Sequence, residues 1–180
     1  GQFAEAEQQA RAMTVQFPQE GFGWKALGAV LKMQGQAEAA LPVLERALVL
    51  MTEDVDGLNA LGVTQRALNR LEEAEASYHR ALTLKPDYAE AHNSLGELRE
   101  GHDRRTQAAA SCRRALALKP DLVEAHNNLG LIYPNLGRLS EAEASYHRAL
   151  ALKPDYAEAH NSSDERRVGQ ERRSRWAPYH

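Results

Sequence analysis

The chain has 180 residues, a formal net charge of −3 and a single cysteine, Cys112. That charge balance favours neither a nucleic-acid partner nor a polybasic membrane contact, and a lone cysteine supports neither a disulfide framework nor a zinc cluster. No run approaches the ~18 apolar residues of a membrane span; hydrophobic residues reach 43% with only 6% aromatics, a balance rich in alanine that suits closely packed helices.

Taken in order, the chain opens at Gly1 in mid-pattern, without an initiating Met or a signal peptide, and so reads as a fragment whose expected location is cytoplasmic. Gly1 to Phe17 reads as a helix, because Ala6, Ala10 and Met13 fall at i, i+4 and i+7 on one face, and Pro18 closes it. A fuller pattern starts at Gly21, with Trp24, Leu27, Gly28 and Leu31, followed by Ala40, Leu44 and Ala47. It returns from Val55 as Leu58, Leu61, Gly62, Ala74, Tyr78, Ala81 and Pro86. From Ala89 it runs His92, Leu95, Gly96, Ala108, Ala115 and Pro120, with Cys112 where an aromatic is expected. From Val123 it runs His126, Leu129, Gly130, Tyr133, Ala142, Tyr146, Ala149 and Pro154. Residues 73–94 recur as 141–162 with one difference, Thr83 against Ala151, and a looser copy spans 108–128. The period is 34 residues: Pro18, Pro86, Pro120 and Pro154 share one phase, with Thr52 in the gap. A fixed period with helical patterning marks an array of helix pairs that share one continuous core.

The spacing W-x2-L-G at Trp24, Leu27 and Gly28, with a later A-x3-aromatic and a closing Pro, resembles the tetratricopeptide repeat. The resemblance implies an all-α, right-handed superhelical solenoid of nine or ten antiparallel helices. Its divisions are a half repeat at 1–20, full repeats at 21–54, 55–88, 89–122 and 123–156, and the start of another at 157–161.

Each recurring residue has a physical job. Gly28, Gly62, Gly96 and Gly130 remove a side chain where the helices of a pair approach, and Ala40, Ala74, Ala108 and Ala142 are expected to face them. A mid-helix Gly costs ~1 kcal/mol relative to Ala, so packing must repay it. Gly35, Asn69, Asp103 and Gly137 fall between the helices and are types that tolerate the left-handed conformation. The pairs Asp87 with Glu90, Asp121 with Glu124, and Asp155 with Glu158 resemble capping boxes.

Two places break the pattern. Pro134 lies inside a first helix and predicts a kink or an early end. After Ser162 the repeat is lost altogether, and residues 162–180 resemble a translated sequencing adapter in the pieces ERRVG, RSRW and PYH. The tail is expected to add neither packing nor function; a nucleic-acid or membrane arm is the alternative reading of its five arginines with Trp176 and Tyr179.

No catalytic motif is present: there is no HExxH, GxSxG, CxxC or phosphate-cradling loop. His92, His126 and His160 recur at the repeat period, so as neighbours in a stack roughly 10 Å apart they cannot share a metal, whose bonds to nitrogen are ~2 Å. They take the site of Trp24, partly buried between helices, while His79 and His147 are expected to face solvent. Tyr78 and Tyr146 should pack between helices, and Cys112, at an aromatic core site, should be buried and unreactive. No cofactor and no metal is expected.

In the family that the chain resembles, the first helices line a concave groove that holds an extended peptide or a partner helix. The matching positions are Lys25, Asn59, Asn93 and Asn127, with Asp56, Glu90, Glu124 and Glu158 three residues before the asparagine position of each unit, and Ser94 and Asn128 beside Asn93 and Asn127. Amides that donate and accept at once can bond a peptide backbone without reading its sequence. One Lys among many acids argues against a clamp for carboxylate termini. The expected function is therefore a non-catalytic scaffold binding a protein segment, basic or neutral by preference, and neither nucleic acid nor membrane. The wording AEAHNSLG and VEAHNNLG also resembles the arrays that precede the catalytic region of O-linked N-acetylglucosamine transferases, which makes a substrate-recruiting arm of such an enzyme the alternative.

Overall fold

The computed structural model describes residues 2–98 and 102–154, and every regular element in them is helical. The helices are α1 (Gln2–Gln16), α2 (Gly21–Met33), α3 (Ala37–Leu50), α4 (Val55–Ala67), α5 (Leu71–Leu84), α6 (Ala89–Gly96), α7 (His102–Leu118), α8 (Val123–Ile132) and α9 (Leu139–Leu152). They pack as pairs, α2 on α3, α4 on α5, α6 on α7 and α8 on α9, with α1 against α2. The readings at Asp155, Glu158 and His160, and that of the tail from Ser162, lie outside the described residues.

The turns between units explain the proline phase. The N–H groups of Glu20, Asp54, Tyr88 and Leu122 donate to the carbonyls of Phe17, Met51, Lys85 and Lys119 at 3.0–3.2 Å. Each bond closes a four-residue turn with Pro18, Thr52, Pro86 or Pro120 at its second position, where the fixed φ of the three prolines matches the turn. This geometry corrects the capping boxes. Asp87 and Asp121 sit at the third position of the turn, one residue too early, so the N-caps are Tyr88 and Leu122 and no side chain caps either helix. Glu90 and Glu124 lie in the first helical turn, where the helix dipole favours an acid.

Within the pairs, Gly35, Asn69 and Gly137 take positive φ (74°, 58° and 72°). Beyond each, the N–H of Gln36, Arg70 or Arg138 reaches back to Leu31, Gln65 or Tyr133 at 2.9–3.0 Å, a Schellman closure. Asp103 is the exception and a correction. It lies in the first turn of α7, which starts early as α6 ends at Gly96, and an acid near a helix N-terminus is stabilised there.

The glycine gap is also filled differently from expectation. Ala40, Ala74, Ala108 and Ala142 are buried, but the side chains seated on the glycines come one turn later. A methyl on Gly28 would lie 2.5 Å from Leu44 Cδ2, and one on Gly130 2.5 Å from Tyr146 Cε1. Gly62 and Gly96 are covered in the same way by the Tyr78 ring and by Cys112 Sγ. Tyr78 and Cys112 are fully buried, as their core placement required, and Tyr146 is partly buried.

Pro134 acts as expected: α8 stops at Ile132 and a 3-10 turn, Tyr133–Leu136, carries the chain to Gly137. Replacing Pro134 by Ala should let α8 run on as α2 and α4 do. Helical signal in circular dichroism should rise, with stability up by about 1–3 kcal/mol given the ~3 kcal/mol penalty of an interior proline; unchanged helicity would show that the turn is set by other residues. Pro42, which the repeat pattern did not flag, lies exposed within α3 without ending it.

The backbones of successive first helices approach one another (α2 with α4, α4 with α6, α6 with α8), whereas successive second helices stand further apart among the described residues, α5 and α7 meeting through the ion pairs of Arg104 with Glu72 and Glu75. The array therefore bends with its first helices on the inside. Clefts open between the second helices, about 410 Å³ between α3 and α5 and about 260 Å³ between α5 and α7, floored by Leu61 and Leu95 of the first helices.

Candidate functional site

The inner face is built from two positions per first helix. At the first stand Phe22, Asp56, Glu90 and Glu124, one helical turn before Lys25, Asn59, Asn93 and Asn127 at the second. The helices start on fixed turns, so both sets recur in register along the face.

The acids differ in how much of their charge is engaged. Lys25 Nζ donates to Asp54 Oδ1 at 2.7 Å and lies 3.9 Å from Asp56 Oδ2. Asp56 Oδ1 also accepts the Tyr88 hydroxyl at 2.7 Å. Burial, then this bond to a carboxylate, raises the Tyr88 pKa well above the ordinary phenol value, so Tyr88 stays a neutral donor. Its ring lies 5.3 Å from Lys85 Nζ. Glu90 meets Lys119 at 3.3 Å in a pair exposed on both sides, which contributes little. Glu124 is exposed and makes no ion pair among the described residues.

The amides are placed deeper than an open column would be. Asn93, Ser94, Asn127 and Asn128 are 6–7% exposed. Ser94 Oγ donates to Asn59 Oδ1 at 3.1 Å, and Asn128 Nδ2 donates to Asn93 Oδ1 at 3.0 Å. Both bonds join one first helix to the next, forming a polar seam behind the acids. Asn93 Nδ2 also reaches Glu97 Oε1 at 3.4 Å, and Glu97 holds Arg66 of α4 at 2.5 Å. The sequence reading missed this seam because its pairs are spaced 35 residues apart, one more than the repeat.

The histidines behave as Trp24 does. Trp24 Nε1 donates to the Pro18 carbonyl at 3.0 Å, and His92 and His126 contact the carbonyls of Pro86 and Pro120 through Nε2 at 3.0 Å. A carbonyl only accepts, so Nε2 carries the hydrogen in both histidines. They are partly buried, and each ties the start of its helix to the preceding turn. His79 and His147 are exposed. Among the described residues no three His, Cys, Asp or Glu are placed to hold a metal ion, and no helix is long and apolar enough to cross a membrane.

Two family models match the chain, "TPR repeat" over residues 64–101 and "Tetratricopeptide repeat" over 123–156. None of the curated proteins matches it. Among solved structures it is similar to TTC0263, a thermophilic TPR protein in Thermus thermophilus, with a TM-score of 0.76 and 25% identity over 92% of this chain and 90% of that one. It is similar to MamA, with a TM-score of 0.72 and 22% identity over 87% and 91%. YrrB, described as a TPR protein with an unusual peptide-binding site, gives a TM-score of 0.67 and 18% identity over 91% and 84%. With the recurring turns, glycine gaps and helix pairs, these matches show that the chain carries tetratricopeptide repeats and folds as an all-α solenoid of that kind.

Proposed function

We propose that the chain is a non-catalytic scaffold whose inner face of first helices binds an extended segment of a partner protein, basic or neutral in character. The observation that supports this reading is the row of Asp56, Glu90 and Glu124, one per unit, on the side toward which the array bends. A row of like charges in an inward-curving surface attracts cations and repels acids. Asn59, Asn93 and Asn127 with Ser94 and Asn128 stand behind that row, and whatever exposed edge their amides keep adds hydrogen bonding to a peptide backbone.

The test reverses charge on the full chain. Glu90→Lys together with Glu124→Lys should shift selection from an immobilised peptide library toward acidic sequences. Retained basic peptides should weaken by about tenfold, because exposed charges contribute only ~0–1 kcal/mol each, and wild-type binding should fall with added salt. If this double variant selects the same peptides as wild type while substitutions on the second helices alter selection, the inner-face reading is wrong.

A further inference from the structure

Resting on that reading, we propose that Asp54, Asp56 and the Tyr88 hydroxyl form a binding point for a primary ammonium at the inner face. Lys25 of the same chain fills it as an internal stand-in, which a partner's lysine displaces. Lys25 Nζ donates to Asp54 Oδ1 at 2.7 Å and lies 3.9 Å from Asp56 Oδ2. The Tyr88 hydroxyl donates to Asp56 Oδ1 at 2.7 Å, so the two oxygens of Asp56 are divided between a hydroxyl and the ammonium. Burial, the bond to Asp56 and the charges of Glu90 and Asp54 hold the proton on Tyr88, which keeps it a donor. One ammonium against two carboxylates leaves the cluster net negative even when it is filled.

Three departures from the repeat meet at this point. Lys25 stands where the next three units carry Asn59, Asn93 and Asn127. Asp54 stands where the two following units carry Tyr88 and Leu122, and Gly57 where they carry Ala91 and Ala125. The three depend on one another. A methyl on Gly57 would lie 2.5 Å from Asp54 Oδ2, so the glycine makes room for the carboxylate. The Asp54 side chain is 8% exposed, and its Oδ2 is buried without a hydrogen bond. A carboxylate so far from water is costly unless a cation pairs with it, and Lys25 is the cation that reaches it.

Asp54 is held in place by the turn and the helix start, whereas Lys25 arrives on a flexible stem whose side chain is 29% exposed. An ammonium on a partner's lysine can make the same contacts. Exchanging one ammonium for another leaves the charge of the cluster unchanged, so a basic segment gains little here while Lys25 is present. Without Lys25 the gain is the whole ion pair.

Fluorescence polarisation with a labelled lysine-bearing Gly-Ser peptide, and with the same peptide acetylated on its lysines, tests the exchange. Lys25→Asn installs the residue of the next three units. It should bind the lysine peptide about tenfold more tightly than wild type, the weight of one hydrogen bond to a charged group, with no gain for the acetylated peptide. Adding Asp54→Asn should remove that gain. Adding Glu124→Gln, which takes the same charge from elsewhere on the face, should leave most of it. Circular dichroism follows the fold. Lys25→Asn uncovers Asp54, so its thermal midpoint should fall, and methylammonium chloride should restore it where tetramethylammonium chloride at equal ionic strength does not. If wild type binds the lysine peptide and Lys25→Asn binds it no tighter, or Glu124→Gln removes the gain as fully as Asp54→Asn, the stand-in is overturned and the face stands. A Lys25→Asn chain that fails to fold and does not respond to methylammonium makes Lys25 a structural tie, and also overturns it. If neither wild type nor Lys25→Asn prefers the lysine peptide to its acetylated form, the face itself is overturned.

Discussion

Tyr78→Ala is expected to lower the unfolding free energy by roughly 3–5 kcal/mol, the range for deleting a buried aromatic side chain. Tyr78 is fully buried, and its ring fills the gap that Gly62 leaves between α4 and α5. Removing it opens a cavity between two helices held apart by the rest of their contacts, so neither can close over the space. The loss falls in the middle of the array, where it weakens the coupling of α1–α3 to α6–α9 as well as the unit itself. Denaturant unfolding followed by circular dichroism should show an earlier and broader transition, with a midpoint on the order of 10 °C lower on heating. Tyr78→Phe is the control. The Tyr78 hydroxyl is buried without a well-formed hydrogen bond, and burial raises its pKa, so its removal should leave stability unchanged or improved. A large loss from Phe would mean that the hydroxyl, which lies near Arg66, holds that charge in place.

Asn93→Ala should cost about 1–3 kcal/mol, because it strands the Asn128 amide, a buried donor, without its acceptor. The double variant Asn93→Ala with Asn128→Ala should lose less than the sum of the two single changes, since it removes donor and acceptor together. Peptide binding, measured well below the unfolding midpoint, should change little for Asn93→Ala compared with Glu90→Lys and Glu124→Lys. Strictly additive losses in stability, or a loss of binding larger than that of the charge reversal, would assign Asn93 to the ligand rather than to the seam.

These variants mark where the sequence could be read and where it could not. Features carried by backbone geometry were legible: the 34-residue phase of Pro18, Pro86 and Pro120 fixes the turns, and Gly35, Asn69 and Gly137 fix the helix ends. The early stop at Pro134 follows from the same chemistry. What was harder to see depends on side-chain direction. The helix register that seats Leu44, Tyr78, Cys112 and Tyr146 on the glycines, rather than the alanines one turn earlier, is set by how long side chains lean in a helix. Asp87 and Asp121 looked like caps because composition alone does not show that the turn uses one more residue. The inner-face positions recur in phase in the sequence, yet the burial of Asn93 and Asn127 arises only when neighbouring units stack. Phe22 was legible in principle, since it shares the phase of Asp56, but an apolar residue near a helix start reads first as core.

The two sides of the array are joined differently. Along the inside, first helices abut and are stitched by Asn59 with Ser94 and by Asn93 with Asn128. Along the outside, second helices stand further apart over open clefts, the one between α5 and α7 spanned by Arg104 with Glu72 and Glu75. A strip that is tight on one side and loose on the other bends like a watch spring, keeping its inner length while its outer edge opens or shuts. Straightening or coiling the array therefore changes clefts that no ligand on the inner face touches. A partner wedged into one of those clefts would set the curvature of the inner face from behind, adjusting how closely its charged row follows a bound chain.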